Sequence, residues 1–65
     1  NCISPGGIKD NTELSKTFLK RYRSDCNSKG MLDAHDIVGT ILFLLSDKSK
    51  FINGQNIIID DGWSL

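Results

Sequence analysis

The chain offers few side chains that could do chemistry, and their spacing rules most of them out. Tyr22 is the only tyrosine. A phenol acts as an acid or base at neutral pH with a cation against it. Arg21 and Arg23 are its sequence neighbours, but residues one apart on a helix do not face each other. His35 falls in the first turn of an expected helix, where it reads as a surface or cap residue. Ser4 precedes Pro5 with no G-x-S-x-G around it, so it lacks a nucleophile elbow. Cys2 and Cys26 form neither C-x-x-C nor a zinc-ligand pattern. Ordinary reduced thiols are the favoured reading, with a disulfide or a small redox or metal function left as alternatives. We assign no catalytic residue and no metal ligand. No G-x-G-x-x-G phosphate turn is present.

What remains is a strand end running into glycines, Asn1-Cys2-Ile3-Ser4-Pro5-Gly6-Gly7-Ile8, and a second at the far end, Ile57-Ile58-Ile59-Asp60-Asp61-Gly62. Pro5 cannot donate to a ladder, and glycine allows positive φ, so residues 1–4 end as a strand there. Asp10 and Glu13 offer a capping-box-like helix start. Leu14, Phe18 and Tyr22 recur at i+4 with Leu19 beside them, opposite Lys16, Lys20 and Arg23. Gly30 falls where a left-handed residue would end the helix or its trailing loop.

A second helix is expected from Asp33, with Asp36 in its first turn facing the positive end of the dipole. The run Ile37-Val38-Gly39-Thr40-Ile41-Leu42-Phe43-Leu44-Leu45 is apolar nearly all round. Such a helix must be covered on more than one side. A 65-residue chain has too little sequence to do so. Burying ~60% of its surface leaves a chain this size marginal, and ordering it costs about 1.5 kcal/mol per residue. Asn53-Gly54 signals a turn. Ile57-Ile58-Ile59 suits a strand buried on both faces of a parallel sheet. Two strands separated by helices make a βαβ-like crossover, so the class is α/β.

Eight basic residues balance eight acidic ones, and no basic stripe argues for nucleic acid. Lys20-Arg21-Tyr22-Arg23 reads as a solvated helix face. No run of 18 apolar residues or signal peptide is seen, so no membrane partner is expected and a cytoplasmic location is.

Three segments, in order, resemble the last quarter of a short-chain dehydrogenase/reductase. They are Asn1-x-x-Ser4-Pro5-Gly6-Gly7-Ile8, Asp36-Ile37-x-Gly39-x-Ile41-x-Phe43-Leu44-x-Ser46-Asp47, and Ile52-x-Gly54-Gln55-x-Ile57-x-Ile59-Asp60-x-Gly62. The wording is closest to bacterial members linked to sugar-nucleotide, surface-glycan or flagellin modification. The resemblance implies a C-terminal piece of a Rossmann-type doubly wound parallel sheet. Residues 1–9 would be the strand end and Pro-Gly loop, 10–30 the substrate lid, 33–47 the long helix and 51–62 the final strand and turn. The lack of an initiator Met adds to the expectation that more chain lies upstream.

The implied activity is NAD(P)-dependent hydride transfer to or from a small carbonyl or alcohol. The implied cofactor is NAD or NADP. Pro5, Gly6, Gly7 and Ile8 would line its nicotinamide end, with backbone near Ile8 bonding the carboxamide. Phe18, Leu19 and Tyr22 become lid residues facing substrate, or simply the residues that dock the lid helix. The glycine-rich cradle and the Tyr-x-x-x-Lys pair of the family are not in this sequence, so the piece alone is not expected to catalyse. Partners implied are the rest of the parent chain and a second copy, met through the last helix and strand. A free-standing oligomerisation or interaction module is the alternative function. Two positions depart from the family: Asp10 stands where Thr is frequent, and Asp61 where Gly is common.

Overall fold

The computed structural model describes residues 1–9 and 14–65. The expected cap at Asp10 and its partner Glu13 lie outside the described residues. Strand β1 (Cys2–Pro5) and strand β2 (Asn56–Ile59) pair in parallel, with Cys2 opposite Asn56 and Pro5 opposite Ile59. Helices α1 (Lys16–Ser24) and α2 (Val38–Leu45) lie between them in sequence. A parallel pair needs such a crossover, since a short turn cannot return the chain to the same end. The class is therefore α/β, as the apolar run 57–59 implied.

Register is set from both ends of the pair. The Asn1 side chain donates to the Ile52 carbonyl (2.8 Å) and accepts from the Gln55 amide (2.9 Å). Beyond the strands, the Gly6 amide donates to the Ile59 carbonyl (2.8 Å). Period-2 alternation puts Cys2, Ser4 and Asn56 on one face. There the Ser4 hydroxyl (2.6 Å) and the Cys2 thiol (3.1 Å) both donate to Asn56 Oδ1.

The helix boundaries differ from the sequence expectation. α1 starts at Lys16 because the Ser15 hydroxyl caps it, accepting from the Phe18 amide at 3.1 Å. It runs to Ser24, past Tyr22. The second helix does not start as an α-helix at Asp33. A 3₁₀ turn, Ala34–Ile37, comes first. The Asp33 amide donates to the Asp36 carboxylate (2.7 Å), and the Lys29 ammonium bridges both carboxylates at 3.3 and 2.5 Å. That pairing draws the Asp36 carboxyl below the ordinary carboxylate range, chiefly through Lys29.

Little of the chain is closed around a core. Among the described residues the buried hydrophobic side chain is Leu32, 5% exposed. On α2, Leu42 is 61% and Leu45 80% exposed, and Ile58 of β2 is 56% exposed. The expectation that β2 is buried on both faces therefore fails among the described residues, where no element covers the side on which Ile58 stands. The radius of gyration is 13.6 Å, against about 11 Å for a self-contained domain of this length. No helix among the described residues is long and apolar enough to cross a membrane.

Candidate functional site

The site is built where β1 runs out. Gly6 and Gly7 are glycines for reasons of space. A Cβ on Gly6 would stand 2.7 Å from the Asp60 Cβ, and one on Gly7 would stand 2.6 Å from the Met31 sulfur and 2.8 Å from the Tyr22 hydroxyl. Beyond them, Ile8 makes a parallel bridge to Leu32. The Leu32 amide donates to the Gly7 carbonyl (2.8 Å), and the Lys9 amide donates to the Leu32 carbonyl (2.7 Å).

That pattern determines where the Ile8 backbone points. In a trans peptide the carbonyl and the N–H face opposite ways, and every peptide among the described residues is trans. With the Gly7 carbonyl turned to Leu32, the Ile8 N–H faces away from Leu32. With the Lys9 N–H turned to Leu32, the Ile8 carbonyl does the same. One donor and one acceptor from a single residue thus share one edge, beside two glycines, at the carboxyl end of a parallel strand. Open α/β sheets bind ligands at that end.

The α1 helix closes over this loop. The Gly7 amide donates to the Tyr22 hydroxyl at 2.9 Å. The Tyr22 ring stacks on Trp63, with centroids 6.0 Å apart and planes 13° from parallel, and meets Phe18 at a tilt. Phe18 and Leu19 flank Tyr22 on opposite sides. Phe18, Arg21 and Asp25 join Tyr22 and Trp63 around a pocket of about 190 Å³. Leu19 and Met31 floor another of about 220 Å³, rimmed by Lys9, Lys20, Arg23 and Lys29.

A second tie comes from a residue that sequence reasoning noted only as a departure. Asp61 has φ 55°, a left-handed value that glycine adopts most readily. Its carboxylate accepts from the amides of Ser28 (3.0 Å), Lys29 (2.6 Å) and Gly30 (2.8 Å) and from the Ser28 hydroxyl (2.7 Å). These donors, the Gly30 amide foremost, hold the Asp61 carboxyl down at about 2. Gly30 itself has φ 85°, as expected, and its hydrogen packs where a Cβ would stand 2.9 Å from the Arg23 Cα. Neighbouring Asp60 turns its carboxylate to the amides of Gly62 (2.9 Å) and Ser64 (3.0 Å), closing the last turn under Trp63.

The other reactive side chains stand apart from this loop. His35 is exposed in the 3₁₀ turn. Ser4 is committed to Asn56. Both cysteines are free thiols, and desolvation, then the nearby Asp61 and Asp60, push the Cys26 thiol up, away from the reactive thiolate. Among the described residues no group of His, Cys, Asp and Glu could hold a metal ion.

Comparison with known proteins identifies relatives of the whole segment. A family model described as enoyl-(acyl carrier protein) reductase matches residues 1–64. The chain is 57% identical, over its whole length, to the post-translational flagellin modification protein A of Campylobacter coli, of which it covers 25%. It superposes on a short-chain dehydrogenase from Leptospira borgpetersenii, solved with bound NAD+, with a TM-score of 0.86 at 38% identity, covering 98% of this chain and 24% of that one. A 4-hydroxyisoleucine dehydrogenase complexed with NADH and succinate gives 0.77 at 39% identity, over 95% of this chain and 25% of that one. The chain thus spans about a quarter of the length of these relatives. The parallel crossover and the family match together make this an α/β segment of a Rossmann-type sheet, and the chain belongs to the short-chain dehydrogenase/reductase family.

Proposed function

We propose that these residues supply the nicotinamide side and the lid of an NAD(P)-dependent oxidoreductase acting on a small carbonyl or alcohol. The observation that carries this reading is the Ile8 backbone edge. An amide N–H and a carbonyl on one residue match the acceptor and donor of a carboxamide, and Gly6 and Gly7 leave the strand end without side-chain bulk. The residues fit the group: Pro5, Gly6 and Gly7 shape the approach, and Ile8 would hold it. NAD(P), when bound, supplies the hydride chemistry. The chain's own part is to bind, orient and exclude water, with Phe18 and Leu19 on the two flanks of the lid helix. Structural neighbours solved with NAD+ and with NADH support this reading. The likeness to a flagellin modification protein supports a part for the parent chain in modifying flagellin.

A second reading concerns α2. Ile3, Ile41, Leu44 and Leu45 line an open apolar cleft of about 370 Å³, while Val38, Leu42 and Phe43 stand exposed elsewhere around the helix. The rest of the parent chain and a second copy of it are the covers we assign to these surfaces, consistent with a cytoplasmic homo-oligomer.

The direct test is calorimetric titration of NADH and NADPH into the full protein carrying these residues. One of the two binds, and oxidation or reduction of a carbonyl/alcohol pair follows at 340 nm. Absence of binding by both would sink the reading.

A further inference from the structure

The Ile8 edge is useful only if the glycines before it hold still, and three neighbours pin them. The Gly6 amide is tied to β2 through the Ile59 carbonyl, and the Gly7 carbonyl to Leu32. The Gly7 amide is tied to a side chain, the Tyr22 hydroxyl. The peptide linking Gly6 to Gly7 is flanked by two residues free to rotate in φ and ψ, so it depends on that one hydroxyl. Tyr22 is in turn braced, with Trp63 stacked on its ring and the Trp63 amide bonded to the Asp60 carbonyl at 3.1 Å.

We infer that Tyr22 is a positioning residue for the nicotinamide end of the cofactor: through the Gly7 amide it holds the Gly6–Gly7 peptide, and so steadies the position of the Ile8 N–H whose direction the Leu32 pairing sets. This rests on the cofactor reading above. It gives the lid helix a task distinct from lining a substrate pocket, since docking the lid and setting the cofactor loop become one contact. Removing the hydroxyl frees the Gly6–Gly7 peptide and weakens whatever bonds to Ile8. Parts of the cofactor that do not reach Ile8 are unaffected.

The test titrates the full protein with two probes: the reduced dinucleotide it binds, and ADP-ribose, which lacks the nicotinamide. In Tyr22→Phe the dinucleotide Kd is expected to rise about five- to tenfold, the equivalent of one lost hydrogen bond, while ADP-ribose binding stays within about twofold. Trp63→Leu keeps the hydroxyl and removes its brace, and a smaller loss confined to the dinucleotide is expected. An unchanged dinucleotide Kd in Tyr22→Phe overturns the inference alone. Equal losses for the two probes overturn it too, because they report a general structural defect. Failure of the unsubstituted protein to bind either dinucleotide overturns the cofactor reading and the inference together.

Discussion

Two regions of this chain are held by different physics. Around the strand-end loop, α1 and residues 26–33, polar groups aim at backbone: Tyr22 on Gly7, Asp61 on three successive amides, Leu32 against Gly7 and Lys9. Each such bond is short-range and satisfied within the chain. Around α2 and β2 the side chains are apolar and unmatched, with Leu45 80% and Phe51 85% exposed. Directional bonds can preset a loop without a large core. Apolar burial needs area, and among the described residues this region has little of its own to bury against. The segment carries its loop geometry internally, and on the reading proposed above the apolar region borrows its stability from outside.

The largest expected effect lies in the borrowed region. Leu45→Asp in the full protein should cost more than about 3 kcal/mol, as for an unpaired charge forced into a packed surface. Denaturant midpoints measure it. A change within about 0.5 kcal/mol, the range of open surface positions, would erase the contrast between the two regions.

The preset region breaks differently. Asp61→Asn keeps the shape but gives up the charge that gathers the amides of Ser28, Lys29 and Gly30. Because the folded carboxyl sits at about 2, below the ~3.9 of an unfolded aspartate, its contribution is complete above that unfolded value. It is lost as pH falls toward the folded one. Wild type should therefore melt higher than the variant at pH 7, with the gap narrowing between about pH 4 and 2. A gap independent of pH would mean that the carboxylate does not carry the tie.

The smallest effect sharpens the comparison by sign. Gly39 lies in α2 with nothing within 4 Å of where its Cβ would be. In an open helix Gly39→Ala gains about 1 kcal/mol. If a neighbouring surface covers that side of α2, as proposed, the gain disappears or reverses. A clean gain in the full protein would show that side to be open.

The sequence carried the architecture well where local rules suffice. Gly30 and Gly54 take the positive φ that their turn positions suggest. The β-branched run 57–59 pairs in parallel with the opening strand. Family wording in three segments pointed to the Rossmann-type class. Elsewhere a competing local acceptor prevailed: Ser15 caps α1, and the Asp36 carboxylate, taking the Asp33 amide, opens the second helix as a 3₁₀ turn. The Tyr22–Gly7 contact was not legible, since it joins residues 15 apart across a loop and needs the helix in place. Asp61 is itself a signal of this tie. A non-glycine residue where the family has glycine must offset its left-handed backbone with side-chain contacts, and these prove to be with residues 28–30.

The grip on Asp61 has a chemical consequence as well. An Asp-Gly pair is ordinarily prone to cyclise, the glycine amide attacking the aspartyl carboxyl to give a succinimide and then an isoaspartyl kink. Here the Asp61 carboxylate is turned toward residues 28–30, and the Gly62 amide is already engaged by Asp60. Neither nucleophile nor electrophile is free to meet the other. The Asp61-Gly62 bond is thereby held out of the geometry that cyclises it, whereas the Asn53-Gly54 turn stands exposed.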